Sequence, residues 1–77
     1  MKIEYDKNAD AVYIYMISDK YVKPGWVKKT YPCDVSEIGG MVNFDFDSDG
    51  HIGGIEIVDA SKILPLEVLE SATRIDT

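Results

Sequence analysis

Apolar residues alternate with polar ones through most of the first 58 positions, and helical spacing appears only beyond Ile63. Ile3 and Tyr5 precede the polar stretch Asp6-Lys7-Asn8-Ala9-Asp10, which is rich in turn formers. Residues 11–17 follow, where five of seven are β-branched or aromatic. That pattern predicts a first β-hairpin. In its second strand Val12, Ile14 and Met16 share one face and Tyr13, Tyr15 and Ile17 the other, so neither face is polar. Such a strand belongs inside a sheet, or under a second layer or another subunit.

Pro24-Gly25 is a turn signal that opens a third strand over 26–31, closed by Pro32. Lys28 and Lys29 mark it as an edge. After Gly39-Gly40, Val42, Phe44 and Phe46 alternate with Met41, Asn43, Asp45 and Asp47, the clearest half-buried strand in the chain. The turn Asp47-Ser48-Asp49-Gly50 leads to a fifth strand over 51–58, in which Gly53-Gly54 predicts a bulge because Ile52 and Ile55 differ in parity. Pro65 is placed as a first helical residue, and Leu66, Val68, Leu69 and Ala72 give about two helical turns with Glu67 and Glu70 outward. The expected fold is α+β, an antiparallel β-meander of about five strands with one short C-terminal helix. Residues 1–72 form a single small domain and 73–77 a frayed tail. The expected core is Ile3, Val12, Ile14, Val42, Phe44, Phe46, Ile55, Ile57 and Leu69.

Length limits what this fold can hold, because a 77-residue chain buries too little surface for a deep catalytic cleft. The net charge of -6 disfavours nucleic acid and suits a basic partner. A single cysteine, Cys33, closes no internal disulfide and reads as a semi-buried thiol. The start Met1-Lys2-Ile3-Glu4 lacks the apolar run of a signal peptide, and no apolar run approaches membrane-spanning length. Cytoplasmic residence is the expectation, with no membrane association.

Asp45, Asp47, Asp49 and Gly50, followed by Glu56, satisfy the spacing of a helix-flanked calcium loop. That loop needs a helix entering and a helix leaving to wrap its oxygens around one ion. Strand periodicity runs up to Phe46 and Gly53-Gly54 interrupts the other flank, so a hairpin turn with Gly50 at positive φ explains the same letters. Weak divalent binding by Asp45, Asp47, Asp49 and Glu56 is the alternative; no metal or other cofactor is otherwise expected. Asp6 and Asp10 read as turn residues making side-chain bonds to backbone, His51 as an exposed residue at a strand start, and Ser61 as a cap or turn hydroxyl. Neither Cys33 nor Ser61 has a base at a recognisable spacing, and no catalytic residue is assigned. Lys20, Lys23, Lys28 and Lys29 are interleaved with Tyr21, Trp26 and Tyr31, which makes residues 20–31 an alternative nucleic-acid surface. A charged edge strand beside a folded-over Trp26 accounts for the same residues.

Two motifs, Tyr5-Asp6-x-x-x-Asp10-Ala11-x-Tyr13-Ile14 and Gly54-Ile55-Glu56-Ile57-x-Asp59-Ala60-Ser61, bracket an Asp-Gly hairpin. In that order they resemble the small prokaryotic proteins of the domain-of-unknown-function family 2283. The resemblance covers residues 5–61, departs from the usual pattern between Val22 and Ile38, and implies no catalytic residue or cofactor. It implies an antitoxin-like role toward a basic toxin only by association. The expected function is a non-enzymatic protein-interaction module. A two-turn helix cannot cover a five-stranded sheet, so some of Tyr13, Tyr15, Ile17, Trp26 and Met41 should stay exposed in a monomer and form the contact surface of a homodimer.

Overall fold

A computed structural model describes residues 1–76. Six strands form one sheet: β1 (Lys2–Asp6), β2 (Ala11–Tyr15), β3 (Lys29–Cys33), β4 (Met41–Phe46), β5 (Ile52–Val58) and β6 (Thr73–Arg74), in the order β3-β4-β5-β2-β1-β6. All pairs are antiparallel except β1 with β6, which is parallel. The fold is α+β, as the change of period requires. It is not a simple meander, because β2 pairs with β5 rather than with the strand that follows it, and this puts β2 inside the sheet, with Val12 and Ile14 on the core face and Tyr13 and Tyr15 on the other. A single 3-10 turn, Asp19–Tyr21, lies between β2 and β3.

Two short helices, α1 (Ala60–Ile63) and α2 (Leu66–Ser71), follow β5; Pro65, expected as a first helical residue, instead sits one position before α2 with extended backbone angles. The turn over Ala60–Ile63 goes beyond the one helix expected. Together they cover one face of the sheet over β1, β2 and β5. The buried cluster there is Tyr5, Val12, Ile57, Ala60 and Leu69, with Ile3, Ile14, Val42 and Ile55 packed against it. Burying an aliphatic side chain of this size stabilises a domain by about 1.5–3 kcal/mol. Phe44 and Phe46, expected in the core, are only half-buried, since they sit on β4 toward the β3 edge, outside that cluster.

Strand β3 starts later than its pattern suggests and runs through Pro32. An edge strand can turn the missing N–H of proline to solvent at no cost to the ladder. All five of its residues are exposed, Cys33 included, so the thiol is not semi-buried. In β5 the pairing slips from Asp45 with Gly54 to Phe46 with Ile52, leaving Gly53 as the extra residue of the expected bulge. Residues 73–76 run back along the sheet: β6 pairs with β1, Ile75 N donates to Tyr5 O at 3.1 Å, and Asp76 accepts from Lys7 N at 3.2 Å and from Arg74 Nε and Nη2 at 2.6 and 2.7 Å. Thr77, the end of the expected tail, lies outside the described residues. Among the described residues no helix is long and apolar enough to cross a membrane.

Candidate functional site

The sheet face opposite the helices is built in rows by strand register. One row across β1, β2, β5, β4 and β3 reads Lys2, Tyr15, Gly54, Asp45, Thr30, and the next reads Glu4, Tyr13, Glu56, Asn43, Pro32. The Tyr13 ring does not stand up from the sheet. It leans over Gly54 and donates its hydroxyl to Asp45 Oδ2 at 2.6 Å, while Thr30 Oγ1 donates to Asp45 Oδ1 at 2.6 Å. A Cβ at Gly54 would overlap the Tyr13 hydroxyl and lie 2.5 Å from its ring carbons, so glycine is needed there for space rather than for φ. The Tyr15 ring packs 4.6 Å from that of Tyr13 at an interplanar angle of 57°. Burial first, then the bond to Asp45, pushes the Tyr13 hydroxyl far above its ordinary pKa; burial and the Glu4 carboxylate raise Tyr15. The Tyr13 hydroxyl thus keeps its proton and donates it to Asp45.

Asn43 Nδ2 donates to Glu56 Oε1 at 3.0 Å, and lies 3.3 Å from Met41 Sδ. Lys2 Nζ sits 5.5 Å from the Tyr15 ring centre and 3.4 Å from both Glu4 and Asp19. Of the residues proposed from sequence, Tyr13, Tyr15 and Met41 share this face. Ile17 lies past the end of β2 and lines a shallow hollow with Met1, Lys2 and Tyr15. Trp26 is not part of the face as a unit with these: its ring packs on Gly53, where an added Cβ would overlap it. Asn43, Thr30 and Glu56 are the site residues that sequence reading missed as a network. The alternation that placed Val42 and Phe44 inward also placed Asn43 and Asp45 on the outer face.

The four carboxylates of the calcium-loop pattern are separated. Asp45 and Glu56 belong to the sheet network, whereas Asp47 and Asp49 sit in the hairpin turn. Asp47 Oδ1 accepts from Asp49 N and His51 N, both at 2.9 Å, and Gly50 takes φ +81°. Asp47, Asp49 and His51 do bring one ligand atom each within 4.8 Å of one another, but two of these side chains are exposed and the third already holds the turn. Lys28, Lys29, Tyr31 and Phe46 line a groove of about 410 Å³ beside that turn, with the two rings edge to face at 5.4 Å. Of the aromatics in the basic segment, only Tyr31 lines it.

A second network joins the two sequence motifs. Asp10 accepts from Tyr5 Oη at 3.0 Å, from Ser61 N at 3.0 Å and from Ser61 Oγ at 2.6 Å, and its own carbonyl accepts from Ala60 N at 2.9 Å. The Ser61 hydrogen bonds hold the Asp10 carboxyl below its usual pKa. Asp59, the residue before α1, makes no capping bond of its own, so Asp10 supplies the cap from the start of the neighbouring strand β2. Asp6 Oδ1 accepts from Asn8 N and Ala9 N, the turn role its spacing predicts. Ser61 and Cys33 lie toward the sheet end that holds Met41 and Val58, while His51 precedes Ile52, the partner of Phe46 at the opposite end of β4, about 13 Å along the strand.

A family model described as Protein of unknown function (DUF2283) matches residues 2–61. No curated protein and no solved structure matches the chain.

Proposed function

The chain belongs to the DUF2283 family, and from that premise, which assigns no activity, we propose that it is a non-enzymatic, cytoplasmic protein-interaction module working through the helix-free face of its sheet. One observation carries the reading: the Tyr13–Tyr15 pair and Met41 lie on a face that neither helix covers, and Met41 is 50% exposed. The Tyr13 ring, tied down by its hydroxyl bond to Asp45, loses little conformational freedom on contact, which suits a recognition surface. The distance between His51 and the two nucleophile candidates supports a binding rather than a catalytic role.

Hydroxyl-radical footprinting tests this. Met41 and Tyr15 should be protected in extracts of the native cell relative to the purified chain, while Leu66, 68% exposed on α2, should react equally in both. Equal reactivity of Met41 in both settings would overturn the proposal.

A further inference from the structure

Resting on that reading, we propose that the helix-free face takes a cationic segment of a different protein, whose Arg or Lys side chains lie against Tyr13 and Tyr15 and reach Glu4, Asp45 and Glu56. The molecule already shows the arrangement once. Lys2 places its ammonium 5.5 Å from the Tyr15 ring centre and 3.4 Å from Glu4, so a cation fits between ring and carboxylate on this face. One step further across the sheet the same pairing is left without its cation. Asp45 and Glu56 are half-buried beside Tyr13 and hold only neutral donors, and among the described residues neither has a Lys or Arg at ion-pair distance. Half-buried carboxylates attract a partner's guanidinium more strongly than solvated ones, and a guanidinium also stacks on tyrosine.

Charge also argues against a second copy stacked on this face. Glu4, Asp45 and Glu56 outnumber Lys2, so stacking two copies would double the acidic excess across a closing interface, and like charges brought together there cost several kcal/mol. Packed sheets interdigitate apolar side chains about 10 Å apart, and this face offers Tyr13, Tyr15 and Met41 among its carboxylates. A foreign cationic segment relieves both problems.

The probe is a nona-arginine peptide titrated into the isotope-labelled full chain at physiological ionic strength. Amide shifts should concentrate at Tyr13, Tyr15 and Glu56 and at the Asn43 side-chain amide. The double variant Glu4→Gln with Glu56→Gln should weaken binding by about tenfold or more, while Glu67→Gln with Glu70→Gln on α2 should change it less than about twofold. Equal weakening by both pairs, shifts centred on the Asp47–Asp49 turn, or no binding would each overturn the cationic occupant. Sedimentation equilibrium in the same buffer adds the competing outcome. A stable dimer dissociated by Tyr15→Glu would put a second copy on the face, overturning this inference while leaving the interaction surface intact. Failure of the footprint, by contrast, removes the surface itself.

Discussion

Asp10 is the residue on which most local structure converges. It takes left-handed backbone angles, φ 50°, which aspartate and asparagine tolerate better than most side chains, and its carboxylate ties the β1–β2 turn to the start of α1. Asp10→Ala removes a cap and leaves alanine in that conformation, so a loss of about 2 kcal/mol and a Tm drop on the order of 10 °C are expected by calorimetry. Asp10→Asn should keep most of the stability. Asp10, Asp34 and Asp76 all have carboxyls held below their ordinary values, by Ser61, by Ser36 and by Arg74 respectively. Their stabilisation is therefore complete above the unfolded carboxylate pKa of about 4 and is lost as pH falls through the lower folded values. Acid unfolding monitored by circular dichroism should begin below about pH 4, and Asp10→Asn should make the decline shallower. The Asp47 turn is satisfied by its own backbone, so millimolar calcium should leave Tm unchanged; a rise that Glu56→Gln abolishes would contradict the separation of its carboxylates.

At the level of elements, β5 lies flat under two rings because it has glycine at both positions they cover. Gly54→Ala should cost about 1–3 kcal/mol by displacing Tyr13 from Asp45. Combined with Tyr13→Ala the penalty should shrink well below the sum, and urea denaturation of the four-variant cycle measures that coupling. Additive losses would mean that Tyr13 does not hold this position. Period-two alternation made β2, β4 and β5 legible in sequence, and Gly53-Gly54 located the bulge by parity. Tyr5 and Ala60 escaped the expected core for a physical reason: each owes its burial to helices that arrive from more than fifty residues away or from the next turn, and no local pattern encodes that contact. Strand β6 escaped as well, since two residues carry no period and their order comes from Tyr5, Lys7 and Asp76. On the outer face the tyrosines were legible as apolar surplus, but the bond from Tyr13 to Asp45 depends on the neighbour relations β4-β5 and β5-β2, and that from Thr30 on the register of β3 against β4, none of which alternation reveals.

For the whole molecule, the family match ends at Ser61 while the core does not. Leu69 on α2 belongs to the buried cluster with Tyr5, Val12 and Ile57, and β6 closes the β1 edge. A chain ended after Leu64 should retain strand signal in circular dichroism yet bind a hydrophobic dye and lose a sharp thermal transition, because Tyr5 and Val12 would face water. A cooperative melt close to that of the full chain would show that residues 65–77 only decorate the domain. The two sheet edges also differ in exposure: β6 is two residues long, whereas β3 leaves five exposed residues with Lys29 and Pro32 discouraging a further strand.

The bond between Asp10 and Ser61 spans 51 positions of chain, and that span sets an order of events. Pairings within β3-β4-β5 close short loops, whereas β2 reaches β5 only across the intervening strands, and α1 does not exist until β5 has been laid down. Long loops close late because their entropy must be lost before any contact rewards it. The Asp10–Ser61 clasp should then form after the folding barrier has been crossed. Stopped-flow measurements on Asp10→Ala should show nearly unchanged refolding and unfolding accelerated by about thirtyfold, the clasp acting as a latch on the finished sheet rather than as part of its nucleus.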